Sequence, residues 1–385
     1  MEFGLLNLFE SPEGRREREI IREQVDLMQA AEGMGFTTVW GAEHHFSDYG
    51  FLASNAVTLA AVAEKTEKIR LGSAIVVLPF NHPIRVAEEY AFLDNLSGGR
   101  LEFGVGRGYQ PTEFKGFGIN QAKSRGIFRE SLEIILQAWT QERVNYEGKF
   151  YRFKDVPVRP KPLQKPTPPI SMAVLSPESF ALAGRLGANL LFAPVFTPNM
   201  AEYVIRLREY RNALVQFGHD PTTKKTSALR MVYLAESREQ ARKDFEGPLL
   251  WYYRKIAQLV APPPGQDAVR SYETYTQTRD LAARVTFDDL VAGGAVSCGT
   301  PDDCNADLEK FIGTYKFNHL LVWTRLGGLS PDKVLTSMRL MQDHVIPVWK
   351  DKMPNIGIQE PDVAEMERMA KRVAEHATTA PRLSV

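Results

Sequence analysis

One stretch decides the fold: Thr37-Thr38-Val39-Trp40-Gly41-Ala42-Glu43-His44-His45-Phe46. Its first five residues read as a short β-strand, and two histidines follow the carboxyl end, where α/β barrels carry their chemistry. Neighbouring residues of an extended chain point to opposite faces, so His44 and His45 cannot easily bind one metal ion together. We expect one imidazole to face a pocket as an acid or base and the other to be held by the scaffold. Two structural histidines at a strand end are the alternative interpretation.

Strand and helix patterns alternate outward from this segment over almost the whole chain. Runs of apolar and β-branched residues alternate with stretches that have helical periodicity. The eight predicted strands are Glu2–Leu8, Thr37–Gly41, Arg70–Leu78, Leu101–Val105, Pro169–Leu175, Ala188–Ala193, Ser227–Ala235 and Asn318–Thr324. Eight such units predict a (β/α)₈ TIM barrel, an α/β fold, formed by residues 1–350. An open, doubly wound sheet is the second possibility.

Three segments depart from the alternation. Val144–Phe153 reads as a β-hairpin outside the barrel. Val260–Gly294 starts with three prolines and ends with two glycines, and a long irregular segment of this kind is typical of an active-site lid. We therefore predict a mobile insertion at about residues 260–294, before the last βα unit. Residues 351–385 form a tail with one charged helix, to which we assign no chemistry.

The composition restricts the partners and the compartment. The 385 residues include 47 Lys and Arg and 47 Asp and Glu, so the net charge is +0. Neither a nucleic acid nor a membrane is expected as partner. The two cysteines, Cys298 and Cys304, exclude a disulfide scaffold and favour a reducing compartment. With no basic leader and no apolar run of about 18 residues, we expect a non-secreted, cytoplasmic protein.

A glycine-rich turn, Gly104-Val105-Gly106-Arg107-Gly108, follows the fourth strand. It is not a dinucleotide fingerprint, because the third glycine comes one position early and Pro111 is expected to prevent an immediate helix. Glycines let a ligand approach the backbone closely, and Arg107 offers two parallel donors to an anion. A tight turn with a surface arginine explains the same residues equally well.

A second anion-binding pattern, Ser176-Pro177-Glu178-Ser179, follows the fifth strand. Ser176 suits an N-cap and Pro177 suits the first helical position. A helix N-terminus at the carboxyl end of a strand is suited to bind phosphate, although capping alone explains these residues. Because Arg107 and both serines would lie on one face of the barrel, we favour a bound phosphate there.

Several motifs together resemble the bacterial luciferase-like flavin monooxygenases, in the order and spacing of that family, from Met1 to about Trp349. They are Glu43-His44-His45-Phe46, Leu78-Pro79-Phe80-Asn81-His82-Pro83, Phe103-Gly104-Val105-Gly106-Arg107-Gly108, Gly218-His219-Asp220 and Gly299-Thr300-Pro301-Asp302-Asp303-Cys304. The resemblance implies a (β/α)₈ barrel that binds reduced FMN from a separate reductase. It also implies that O₂ is activated as a flavin C4a-hydroperoxide.

The resemblance assigns roles residue by residue. Arg107, Ser176 and Ser179 match residues that bind the FMN phosphate. Ala74-Ile75 matches the segment beside the isoalloxazine, where the family has a non-proline cis bond. His44 matches the catalytic histidine, with His45 beside it expected to orient the loop. The remaining positions assigned to the cofactor site are Gly106, Gly108, Tyr109, Leu175 and Trp251.

Two positions depart from the luciferase catalytic subunit. Gly106 stands where that subunit has a cysteine, and Tyr109 stands where it has a leucine. The pocket beside the flavin is therefore expected to differ, which argues against light emission from a long-chain aldehyde.

The sequence thus predicts a two-component monooxygenase that uses reduced FMN and O₂ on a small organic substrate. A homodimer is expected through the second and third helices, where Ala56, Ala60 and Ala63 form a stripe of small residues. The alternatives are a deazaflavin-dependent hydride-transfer enzyme on the same fold and a non-catalytic flavin-binding subunit. A metal-dependent barrel hydrolase is disfavoured, because the two histidines are adjacent rather than alternate.

Overall fold

The computed structural model describes residues 1–12, 14–194, 200–260, 279 and 282–352. Eight parallel strand positions close into a barrel in the order β1, β2, β3, β5, β8, β9, β10, β12 and back to β1. The strands are β1 Glu2–Asn7, β2 Thr38–Gly41, β3 Arg70–Ser73, β4 Val76–Val77, β5 Leu101–Gly106, β6 Arg143–Glu147, β7 Arg152–Pro157, β8 Ile170–Val174, β9 Asn189–Phe192, β10 Thr226–Leu234, β11 Val296–Gly299 and β12 His319–Trp323.

Helices cover the outside of the barrel. Most of them connect one barrel strand to the next, as parallel strands require. Their bounds are α1 Glu17–Glu32, α2 Asn55–Ala63, α3 Pro83–Leu96, α4 Pro111–Gly116, α5 Ser124–Thr140, α6 Pro177–Leu186, α7 Met200–Gln216, α8 Arg238–Leu259, α9 Phe287–Ala292, α10 Pro301–Tyr315, α11 Pro331–His344 and α12 Ile346–Trp349. None of the helices within the described ranges is both long enough and apolar enough to span a bilayer.

Closure of the barrel excludes the open sheet. β9 pairs with β10 in parallel, with Leu190 opposite Thr226, and β10 pairs on its other side with β12. The nine-residue β10 is long enough to pair with a third strand. Its carboxyl-terminal part, from Met231, pairs with β11, a strand that the sequence analysis did not predict because it is short and begins two residues after Gly294.

Alternate strand residues fill the barrel interior. The indole of Trp40 lies near the centre, and glycines on both neighbouring strands make room for it. A Cβ atom at Gly4 would lie 2.7 Å from Nε1 of Trp40, and one at Gly72 would lie 2.2 Å from its Cε3. Below this layer, the Arg70 guanidinium pairs with Glu102 at 2.6 Å. Above it, the carboxyl ends of the strands surround a cavity.

Other local predictions have mixed outcomes. The hairpin is confirmed, since β6 and β7 pair antiparallel. The predicted third strand is divided into β3 and β4 by Ala74 and Ile75. The expectation that Pro111 prevents a helix is wrong, because Pro111 is the first residue of α4, where a missing N–H costs nothing.

Two predicted segments lie largely outside the described residues. Of the insertion predicted at residues 260–294, positions 261–278 and 280–281 are outside, and its described end contains α9. The predicted tail helix lies wholly within residues 353–385, which are also outside.

Candidate active site

A cavity of about 240 Å³ opens at the carboxyl ends of the barrel strands. Most of the residues predicted for the cofactor site line it. These are Ala74, Ile75, Arg107, Gly108, Tyr109, Leu175, Ser176 and Ser179, and His44 lines it as well. Three predicted site residues, His45, Gly106 and Trp251, are absent from its described lining.

His44 is held by a buried carboxylate. Its Nδ1 lies 2.9 Å from Oε1 of Glu113, and the backbone N–H of His45 donates to the same oxygen at 2.9 Å. Only 1% of the Glu113 side chain is exposed. In the tautomer with its hydrogen on Nδ1, His44 donates to the Glu113 carboxylate, and Nε2 is the nitrogen that can exchange a proton with a ligand. The amide nitrogen of Gln110 lies 3.2 Å from Nδ1 but is itself a donor, so it does not hydrogen-bond to Nδ1 in this tautomer.

The sequence analysis missed Glu113. It is the third residue of α4, so Oε1 reaches back to the loop that carries both histidines. The position of proline was the available signal, because a proline at a first helical position predicts that a helix begins there. With α4 recognised, a carboxylate in its first turn becomes a candidate partner for a histidine.

His45 lies on the other side of its loop. Its Nε2 is 3.3 Å from Oε1 of Glu43, and its ring packs edge-on against Phe117 with 4.7 Å between centroids. Phe80 and Phe46 complete this aromatic cluster. The structure therefore places His45 away from the cavity, in a position to support the loop rather than to touch a ligand.

One end of the cavity is the part predicted to bind an anion, the anion-binding end, and it is formed by Arg107 and the start of α6. Ser176 occupies the N-cap position, but its side chain makes no capping bond to the helix. Ser179 Oγ donates to the Ser176 carbonyl at 2.6 Å and accepts from the Leu175 N–H at 3.1 Å. The pKa of Glu178 lies below its ordinary value, chiefly because Ser176 hydrogen-bonds to it, with smaller contributions from its own N–H and from Arg125 and Arg107.

The segment between β3 and β4 forms another side of the cavity. The peptide bond between Ala74 and Ile75 is cis, as the resemblance implies. The Ile75 carbonyl accepts from Nδ2 of Asn55 at 3.2 Å. Gly106 supports this arrangement from behind, because a Cβ atom there would lie 2.1 Å from Cδ1 of Ile75. A cysteine at position 106 would therefore require Ile75 to move.

Three tyrosine hydroxyls form a buried chain beside His44. Tyr49 Oη lies 3.2 Å from that of Tyr109 and 3.2 Å from that of Tyr252. Tyr49 and Tyr109 line the cavity, and their rings meet His44 edge-on. Burial raises the pKa of all three hydroxyls well above the usual range, so each stays neutral at physiological pH. Tyr49 and Tyr252 were not predicted as site residues.

Trp251 takes no part in the described lining. It is half-buried on α8, with Nζ of Lys255 5.9 Å from its ring centroid, while Ile256 and Val260 of the following turn reach the cavity. Among the residues described, no group of three or more His, Cys, Asp or Glu side chains is placed to hold a metal ion.

Sequence comparison relates the chain to flavin-dependent oxygenases. The alkanal monooxygenase alpha chain of Photorhabdus laumondii is 26% identical over 368 residues, 92% of this chain and 100% of that protein. The oxygenase component of the flavin-dependent trigonelline monooxygenase of Acinetobacter baylyi is 28% identical over 271 residues, 68% of this chain and 74% of that protein.

Solved structures with the same fold include both FMN and F420 proteins. The monooxygenase RslO1 of Streptomyces bottropensis has a TM-score of 0.81 and 29% identity, over 91% of this chain and 100% of that one. The oxygenating constituent of 3,6-diketocamphane monooxygenase of Pseudomonas putida, in complex with FMN, has a TM-score of 0.74 and 20% identity, covering 90% and 98%. An F420-dependent secondary alcohol dehydrogenase has a TM-score of 0.69 and 18% identity, covering 90% and 98%.

The family assignment follows from the match to a family model. The model for luciferase-like monooxygenases matches residues 1–315, most of the 385-residue chain. It includes the histidine loop, the segment between β3 and β4, and the anion-binding end of the cavity. The chain belongs to the luciferase-like monooxygenase family.

Proposed function

We propose that this protein is a two-component monooxygenase, which takes reduced FMN from a separate reductase and uses O₂ to oxygenate a small organic substrate. One observation carries the proposal. A single cavity is lined by an anion-binding end, by the Ala74-Ile75 segment and by a histidine held on a buried carboxylate. These are the features needed to hold a phosphorylated flavin and to move a proton beside it.

The anion-binding end fits a single phosphate group. Arg107 would supply charge-assisted donors and the start of α6 the positive end of its dipole. The hydroxyls of Ser176 and Ser179, which here contact Glu178 and the Ser176 carbonyl, would turn toward the phosphate. Arg107 is the one Lys or Arg among the cavity residues that the structure describes. A deazaflavin with a longer anionic tail would need further cations, and this favours FMN over that alternative.

In this mechanism His44 is the residue that transfers a proton. Glu113 accepts a hydrogen bond from Nδ1–H, which fixes the tautomer and orientation of the imidazole and leaves Nε2 to exchange a proton. FMN, when bound, supplies the electrons and the oxygen-activating chemistry. Apolar side chains on the opposite wall exclude water from the reacting centre, and this limits the loss of activated oxygen as hydrogen peroxide. The contact that positions His44 on Glu113 also argues against the alternative of a non-catalytic flavin-binding subunit.

We propose a homodimer through α2 and α3 in the reducing cytoplasm. Large apolar side chains face outward from these helices: Val57 is 72% exposed, Phe92 61% and Leu96 42%. Exposed apolar groups clustered on two helices are typical of an interface. The stripe of Ala56, Ala60 and Ala63 is a poorer argument, because these residues pack against the protein's own core.

The proposal is tested by binding and by isotope incorporation. Anaerobic titration should show that reduced FMN binds at least about tenfold more tightly than a reduced deazaflavin, since the site offers one phosphate position. Incubation with reduced FMN, ¹⁸O₂ and a panel of organic compounds should then place one labelled oxygen atom in a product. Hydride transfer from the deazaflavin without oxygen incorporation would favour the alternative function.

A further inference from the structure

The cavity divides into a polar half and an apolar half. The ionisable and hydroxyl side chains of the lining follow β2, β5 and β8, and β3, which lies between β2 and β5 in the barrel, adds the apolar Ala74 and Ile75. The other four strands, β9, β10, β12 and β1, place Leu191, Leu229, Leu321 and Leu6 on the cavity surface. Trp323 adds an indole ring to this apolar wall, and its Nε1 is satisfied by the Arg325 carbonyl at 3.0 Å.

The polar half is poor in positive charge once the flavin is bound. Arg107 is assigned to the flavin phosphate under the proposed function, on which this inference rests. No other Lys or Arg belongs to the lining in the described part of the chain. Two acidic side chains line the cavity instead: Glu113, which contacts His44, and Glu43, which contacts His45 at 3.3 Å and Asn81 and the Val77 N–H at 3.4 Å. A buried substrate anion would thus lie near two carboxyl groups with no lysine or arginine of the described lining left to pair with it, which is costly.

The remaining polar groups are neutral hydroxyls. Tyr49 and Tyr109 both line the cavity and are joined at 3.2 Å, and Tyr252 holds Tyr49 from behind. Their burial keeps them protonated, so they can exchange hydrogen bonds with an oxygen atom but cannot balance a charge. Both rings contact His44, so a group bound at these hydroxyls lies next to the proton-transferring side chain.

We propose that the substrate is an uncharged, largely apolar molecule, whose polar oxygen binds at the hydroxyls of Tyr49 and Tyr109 and whose hydrocarbon part lies on the apolar wall. Tyr109 is then a specificity-determining residue.

Three probes of one skeleton test the proposal on the FMN-loaded protein by equilibrium dialysis: naphthalene, 2-acetylnaphthalene and 2-naphthoate. The ketone should bind most tightly, and the carboxylate at least about a hundredfold more weakly than the ketone, because its charge finds no partner. Tyr109→Phe should weaken binding of the ketone by about three- to tenfold, the effect of one neutral hydrogen bond, and leave naphthalene unchanged.

Matched variants separate this effect from general damage. Tyr49→Phe should have the same effect on ketone binding as Tyr109→Phe. Either variant can therefore serve as the test if the other one folds poorly. Tyr146→Phe is the control, since the Tyr146 hydroxyl lies on the outer hairpin and donates to Glu133 of α5 at 2.6 Å. Equal binding of ketone and carboxylate, an equal loss for ketone and naphthalene, or failure of all three probes to bind would each overturn the inference. Failure of FMN itself to bind, measured first by flavin fluorescence, would instead reject the proposed function.

Discussion

Replacing Arg107 by alanine should separate phosphate recognition from recognition of the flavin ring. Arg107 lines the cavity at its anion-binding end, where it acts with Ser176 and Ser179. A charge-assisted hydrogen bond contributes about 1.5–3 kcal/mol, and 1.4 kcal/mol is a factor of ten in affinity. The dissociation constant of FMN should therefore rise about ten- to a hundredfold. Riboflavin has the same ring but no phosphate, so its affinity should hardly change.

The assay is anaerobic titration of both reduced flavins into wild type and variant. The useful quantity is the ratio of the FMN and riboflavin affinities, because general damage to the fold cancels in it. Arg125→Ala is the control, since Arg125 also lies near Glu178, at 3.8 Å, but does not line the cavity. It should change the ratio less than about twofold, as expected for an exposed ion pair. An unchanged ratio in Arg107→Ala, or equal losses for both flavins, would refute the phosphate assignment.

Three further predictions concern other parts of the molecule. His44→Ala should still bind reduced FMN but lose productive oxygenation about 10²–10⁴-fold, the range of a positioned acid or base. The oxygen that it consumes should be recovered as hydrogen peroxide, and Glu113→Gln should lose less oxygenation. Full coupling of oxygen consumption to product in His44→Ala would contradict the mechanism. Burial raises the pKa of Glu10 from 4.5 to about 8 despite nearby Arg325. Unfolding therefore releases a proton in this range, and the free energy of unfolding falls as pH rises from 4.5 to 8. Glu10→Gln should show a flatter dependence of Tm on pH, and the same slope as wild type would contradict the raised pKa of Glu10. Light scattering at micromolar concentration should give a dimer mass for wild type and a lower mass for Phe92→Glu. That substitution adds a charge to an exposed apolar surface on α3. A monomeric wild-type protein would rule out the interface.

The alternation of strands and helices was sufficient to predict the barrel. Parallel strands buried on both faces have long apolar runs, so their positions are visible in the sequence. The short β11 was missed, because four residues after two glycines resemble loop more than strand. The division of the third strand between Ser73 and Val76 has no local signal, because the residues there, Ala74 and Ile75, include no glycine, proline or charge.

The site was predicted best where a residue acts through its type alone. Arg107, Ser176, Ser179 and His44 combine chemistry with a position at a strand end, and all four line the cavity. Residues that act through tertiary contacts were missed. Tyr49 is identified by tertiary contacts, such as its 3.2 Å contact with the hydroxyl of Tyr252, which lies 203 positions later in the chain.

Gly106 is a different case, because it matters through its lack of a side chain. The sequence placed it in the cofactor site, whereas the structure gives it the task of making room for Ile75. The close approach of two strands cannot be read from either strand alone. A glycine in a strand does indicate such an approach, but it does not say which atom comes near.

The most direct test of a flavin oxygenase is the delay between oxygen uptake and peroxide release. The anaerobic complex of protein and reduced FMN is mixed with oxygenated buffer, and both species are followed in time. The account predicts that oxygen disappears before hydrogen peroxide appears, because the water-poor cavity retains the activated oxygen, and that His44→Ala alters this delay without preventing binding. If oxygen loss and peroxide release coincide in the wild-type protein, as they do for free reduced FMN, the protein does not control the reaction and the proposed function is wrong.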